Sequence, residues 1–135
     1  MAQPKINFSQ LNTGYEFEPA SFRLSDEMVT AYLDAVGGNS DIYRNNRIAP
    51  PMLVAALAMA AMAAGLSMPP GAIHVSQEVQ FLRPVEVDGV LTSYARVNRK
   101  VDRGKFHMLT IGIKVMDQAQ NTVLSGETGF LLPFS

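Results

Sequence analysis

Between Ile48 and Ile73 the chain carries no charged side chain. The stretch opens on Pro50-Pro51, is mostly alanine at its centre, and is broken by Gly65 and by Pro69-Pro70-Gly71. Proline suits the first turn of a helix, where its missing N–H has no intrahelical use. The sequence "PMLVAALAMAAMAAGL" therefore reads as a helix running to about Leu66 and ending at or near Gly65. A helix that is apolar all round must lie in a protein core or in a membrane. A membrane span wants about 20 residues more strongly apolar than alanine. The prolines and alanines favour a helix at the centre of a soluble domain, with the other elements built around it.

The flanking segments supply those elements. Tyr15 to Leu24 alternates like a strand, weakened by Pro19. Ser25 is a good helix N-cap, and Asp26 and Glu27 follow where the helix dipole favours acids. Met28, Val29, Tyr32, Leu33 and Val36 then form one apolar stripe, and Gly37-Gly38 ends the helix. Residues up to Ala49 read as a loop. Beyond the central helix, Ile73, Val75, Val79 and Phe81 mark a half-buried strand, with His74 on its opposite face. Leu91–Val97, Leu109–Val115 and Val123–Leu132 are further strands, separated by turns at "VDRGK" and "DQAQN". The expected architecture is α+β, with an antiparallel sheet whose last four strands form a meander.

Composition narrows the function. The chain has 135 residues, 47% of them hydrophobic and 17% charged, which fits a single domain over residues 1–135. A net charge of −1 leaves no basic footprint for nucleic acid or an anionic membrane. The absence of cysteine excludes disulfides, thiolate metal sites and a cysteine nucleophile. The opening "MAQPKINFSQLN" lacks the apolar core of a signal peptide, which points to a cytoplasmic protein. Neither histidine has metal-ligand spacing to a partner, so no metal site is expected.

The loop after the first helix, the helix "APPMLVAALAMAAMAAGL" and the segment "AIHVSQEVQFLRPVEVDG" together resemble the MaoC-like branch of the hot-dog fold. This group holds the (R)-specific enoyl-CoA hydratases and hydroxyacyl carrier-protein dehydratases. The resemblance covers roughly Phe22 to Pro133. It implies a curved antiparallel sheet wrapped around the central Ala-rich helix, and a dimer with a continuous sheet. It also implies acyl-thioester pockets near the subunit interface, with acyl-CoA or acyl carrier protein as ligand and no separate cofactor.

The family's hydratase motif is Asp-x-Asn-Pro-(Ile or Leu)-His. Its chemistry needs a base for water, an acid for the α-carbon and a donor for the enolate oxygen. On the resemblance, the motif falls on "GNSDIY". Gly38 then takes the place of the Asp, Ser40 of the Asn, Asp41 of the Pro and Tyr43 of the His. Pro50-Pro51 stands where the family has His-Gly at the helix start, and proline has no N–H to offer. Met59 takes a place where hydratase relatives tend to carry a small hydroxyl residue.

The substitutes for these groups lie in the same loop. Asp41 is its only acid, and a carboxylate enclosed by apolar walls is a stronger base. Tyr43 can donate to a thioester carbonyl. The plainer reading gives Asp41 a local turn or capping role and packs Tyr43 over the helix. Gly38, Asn39, Ser40 and Pro51 are expected to shape the ligand's entry, and Asn39 and Ser40 serve equally as turn residues. Met52, Met59 and Met62 share a helix face by spacing, either as core or, for Met52 and Met59, as lining for an acyl chain.

Three readings follow. The chain is a hydratase or dehydratase with a rearranged site; or a non-catalytic subunit paired with a catalytic hot-dog chain; or a stand-alone binding protein for an acyl or lipid-like ligand. A homodimer serves the first and third, a heterodimer the second.

Overall fold

The structure, a computed structural model, describes residues 5–37 and 41–133. A two-residue strand, β1 (Ile6–Asn7), leads into one 3-10 turn over Phe8–Gln10. Leu11 is fully buried and anchors this arm. Lys100 clasps it from the far sheet, its Nζ donating to the carbonyls of Phe8 (3.1 Å) and Leu11 (2.9 Å). The same ammonium lies 4.3 Å from the Phe8 ring centre.

Tyr15–Leu24 forms less strand than its alternation suggests. Proline cannot donate to a ladder, and only Ala20–Arg23 pair as β2. Upstream, Phe17 N donates to the Ala95 carbonyl at 2.9 Å and Glu16 makes a lone bridge with Arg96. Ser25 caps α1 (Asp26–Val36), its Oγ accepting from Met28 N at 3.2 Å. Gly37 ends the helix in the left-handed region, at φ +66°. Val29 and Leu33 of the expected stripe are buried, but Val36 is 57% exposed because the last turn runs past the packed surface.

The segment expected as an uninterrupted loop contains a short helix, α2 (Asp41–Asn46). Polar local bonds hold it rather than an apolar stripe, so no periodicity announces it. Asn46 Nδ2 donates to the Ile42 carbonyl at 2.7 Å, and Arg44 pairs with Asp34 of α1 at 2.9 Å. Gly38, Asn39 and Ser40, just before it, lie outside the described residues.

The charge-free helix is α3 (Pro51–Ala64), closed by Gly65 and followed by β3 (Leu66–Ser67), which pairs in parallel with β1. Leu53, Val54, Ala55, Ala58 and Met62 are its buried residues. They face a five-stranded antiparallel sheet made of β2, β4 (Ile73–Phe81), β5 (Val90–Asp102), β6 (Phe106–Met116) and β7 (Thr122–Pro133). The inner face of that sheet carries Leu91, Ala95, Val97, Leu109, Ile111, Ile113, Val115, Leu124 and Leu132, all buried. This is the α+β architecture the sequence leads one to expect.

The strand order corrects the expected four-strand meander. It is β2-β5-β6-β7-β4, so only β5, β6 and β7 meander. β4 crosses to the far edge and pairs with β7, not with its sequence neighbour β5. As an edge it is not half-buried: eight of its nine residues are exposed in the single chain. A bulge at Val75 also shifts the register between His74 and Ser76. Residues beyond a bulge change face. His74 therefore joins Val79 and Phe81 on the helix side, opposite Phe130, while Ile73 pairs with Leu131 on the outer side. This reverses the face expected for His74. Two glycines let β4 lie close: a Cβ at Gly126 would run into the Glu78 carbonyl, and one at Gly129 into the Ser76 hydroxyl.

Two predictions follow from this packing. Ala58 is 1% exposed beneath the sheet, whereas Ala56 is exposed. Ala58→Leu should cost about 1–3 kcal/mol by overpacking, read by denaturant unfolding, with Ala56→Leu near neutral. In the β6–β7 turn, the Asn121 backbone N–H is the main cause holding the Asp117 carboxyl below its ordinary value of 3.8. A depressed carboxylate stabilises the fold above its unfolded pKa and loses that effect as pH falls through the folded value. Asp117→Ala should therefore lower Tm at pH 7, and the gap from the parent should close in strong acid.

Candidate functional site

A cleft of about 290 Å³ opens where α2, the start of α3 and the end of β4 meet. Tyr43 enters it from α2, Pro51 and Val54 from α3, Phe81 from β4, Arg83 from the segment that follows, and Leu124 from β7. The walls are largely apolar, and Tyr43 and Arg83 are the lining residues with polar side chains. Backbone pairing fixes the loop beside the cleft. Ala49 N donates to the Val85 carbonyl at 2.7 Å and Val87 N to the Arg47 carbonyl at 2.9 Å. Asp88 accepts from both Arg23 (2.7 Å) and Arg47 (3.4 Å), tying the loop's end to β2.

The N-terminal end of α3 borders this cleft. A helix N-terminus presents unpaired N–H groups and a partial positive charge. Pro51 at the first helical position contributes none, so the first N–H belongs to Met52. Leu53 N already donates to the Pro50 carbonyl at 3.0 Å.

The structure brings two of the sequence-expected site residues together, Tyr43 and Pro51. Asp41 lies exposed on the first turn of α2 and is not among the cleft's walls, so a single chain does not enclose it. Met52 is 52% exposed, Met59 is half-buried against the core and Met62 is in the core. The three methionines thus serve different surroundings despite their shared spacing. Phe81 and Arg83 were missed by sequence reasoning. Their signal was the Phe-x-x-Pro-Val segment, which carried the family resemblance without showing that it walls the cleft.

Other groups lie apart from the cleft. Asp102 and His107 stand five residues apart, the hydratase spacing, and pair across the β5–β6 hairpin. Asp102 is used by its turn, accepting from Gly104 N at 2.8 Å, and the His107 ring lies 5.1 Å from that of Phe8. A larger open trough of about 1340 Å³ runs over the outer face of the sheet, past Tyr94, Arg96, Lys114 and Glu127. It adjoins neither α2 nor the start of α3. Among the described residues no group of acids and histidines could hold a metal ion, and no helix is long and apolar enough to cross a membrane.

An antiparallel sheet curled round one Ala-rich helix, with a cleft at the helix start, defines a MaoC-like hot-dog protein. The chain matches, over residues 12–125, the profile described as "FAS1-like, dehydratase domain region", and it belongs to that family. Among solved structures it is similar to the R-hydratase PhaJ1 of Pseudomonas aeruginosa in the unliganded form. The identity is 25% and the TM-score 0.80, covering 97% of this chain and 88% of that one. It is also similar to the MaoC-like dehydratase of Rhodospirillum rubrum, with 16% identity and a TM-score of 0.78, covering 95% and 97%. A third likeness is to the HadBC (3R-hydroxyacyl-ACP dehydratase) complex of Mycobacterium tuberculosis, with 16% identity and a TM-score of 0.72, covering 88% and 96%. No curated protein matches the chain by sequence.

Proposed function

We propose that this chain binds acyl thioesters of CoA or acyl carrier protein in the cleft at the start of α3. There it acts as a hydratase or dehydratase with a rebuilt site. The observation that carries the reading is the meeting of the Tyr43 side chain with the N-terminal end of α3 in one largely apolar cleft. A thioester carbonyl set there takes a hydrogen bond from the Tyr43 hydroxyl and from the Met52 N–H, the donor displaced by one residue from the proline. Both strengthen as the oxygen gains enolate charge. Asp41, the one acid of α2, is the base for water once a second subunit covers it. Pantetheine enters along Gly38, Asn39 and Ser40, and Arg83 at the cleft receives an anionic part of the carrier. No separate cofactor takes part. Met52 and Met59 lie along the path of the acyl chain.

The assembly is a dimer made through the edge strand β4. Ile73, Val75 and Phe81 are exposed large apolar residues on it, and Leu82 follows directly after it. A long unpaired edge of that kind is a template for another strand.

A second reading has its own support. No Asp–His pair at motif spacing reaches the cleft, and Pro51 removes an N–H from the helix start. HadBC and ChsH1–ChsH2 of Mycobacterium tuberculosis, both similar in fold, are complexes of two chains. On this reading the chain shapes the acyl pocket of a catalytic partner.

The test is hydration of a panel of trans-enoyl-CoA thioesters by the purified protein. Asp41→Asn and Tyr43→Phe should each lower kcat/KM by about 10²-fold or more, the usual scale for losing a proton-transfer group or an oxyanion donor. Turnover untouched by both changes would discard these residues. A folded dimer with no turnover would favour the partnered, non-catalytic reading. A chain that stays monomeric at micromolar concentration, with no partner co-purifying, would defeat the dimer.

A further inference from the structure

We propose that, in the β4 dimer, a twofold axis at Gln77 brings the His74 of each subunit to complete the cleft of the other. The inference rests on the acyl-thioester reading above and adds the proton donor that the single-chain cleft lacks.

Three observations lead to it. First, His74 sits on an exposed edge strand, yet its ring is held in place. Its Nε2 lies 2.6 Å from Thr128 Oγ1, and the ring stacks on Phe130 with centroids 4.9 Å apart and planes 27° from parallel. Thr128 is fully buried, one of two buried polar residues among those described. A buried hydroxyl spent on an exposed imidazole is the arrangement that orients a proton-transfer group. Thr128 engages Nε2, which leaves Nδ1 to exchange a proton.

Second, the bulge at Val75 turns His74 to the helix side of the sheet, the side on which Phe81 lines the cleft. In an unbroken ladder, with Val75 paired in its turn, His74 would share the outer side with Ser76 and Glu78. Bulges commonly re-aim a side chain beside an active site.

Third, the twofold register is constrained by charge. An axis at Glu78 would set two carboxylates directly opposite each other, a destabilising pairing. An axis at Gln77 sets neutral Gln77 against its copy and Glu78 against the partner's bulge. With the bulge counted as one position, His74 then faces the partner's Val79. Phe81 lies two residues further along, about 7 Å at strand spacing. An imidazole there stands at the wall of the partner's cleft.

Hydration then balances with named groups. Water gives its oxygen and one proton to the β-carbon as hydroxyl and its other proton to Asp41. The imidazolium of the partner's His74 gives a proton to the α-carbon. Exchange with solvent returns the proton from Asp41 to the imidazole.

The chain has no cysteine, so introduced thiols report cleanly. Under mild oxidation Gln77→Cys alone, and His74→Cys with Val79→Cys, should each give a covalent dimer on a non-reducing gel. A protein that is dimeric yet forms neither link overturns the placement. The role is read by mixing two weak dimers, one carrying His74→Gln, which keeps a hydrogen-bonding group beside Thr128, and the other Tyr43→Phe. If His74 serves the partner's cleft, exchange of subunits restores about a quarter of wild-type turnover, since half the dimers are mixed and each has one intact site. If it serves its own cleft, or none, mixing restores nothing and the proposal falls. A wild-type protein without turnover defeats the hydratase reading and the proton role with it, while the cross-links still decide the placement.

Discussion

The structure depends on the close approach of one sheet to one helix. α3 buries small side chains at Ala55 and Ala58 beside Leu53, Val54 and Met62. Small residues let the inner sheet face, with Val97, Ile111 and Val115 fully buried, come near the helix axis. Interiors are packed at crystal-like density, so a helix with bulkier residues here would hold the sheet further off. The absence of charge between Ile48 and Ile73 is the sequence-level trace of this arrangement. The side of the helix turned from the sheet, at Met52, Ala56, Ala60 and Ala63, is exposed in the single chain and carries alanine and methionine rather than a polar stripe.

The same packing places the cleft. The side of α3 toward the sheet is buried, and its starting end, where the cleft opens, is where a ligand can meet the helix backbone. The short helix α2, the end of β4 and the pairing of Ile48 with Glu86 gather there. The site is thus assembled from elements far apart in sequence, joined through the register of β4 on β7 and of residues 47–49 on 85–87.

Much of the fold was legible in the sequence. The Ser25 cap, the Gly37 stop, the proline start of α3 and the turns at Gly104 and Asp117 are local devices written in a few adjacent residues. What was not legible depends on distant partners. The meander failed at β4 because nothing within Ile73–Phe81 says which strand it will meet. α2 was invisible because side-chain bonds, such as Arg44 to Asp34, hold it in place of an apolar stripe. The candidate site was half legible: Tyr43 and Pro51 came from the loop pattern, whereas Phe81 and Arg83 reach the cleft by tertiary placement. His74 was assigned to the wrong face because period-2 alternation assumes an unbroken strand.

That misassignment has a wider meaning. The extra residue at Val75 acts as a one-position adaptor that divides β4 into two segments with opposite in–out phase, while both stay hydrogen-bonded to the same neighbour. Were Val75 drawn into the ladder, it would take the place opposite Phe130, beside the Thr128 hydroxyl, and His74 would pass to the outer face and into water. The face His74 presents is therefore set by one residue standing outside the pairing, and deleting that residue would leave the imidazole where it is, opposite Phe130.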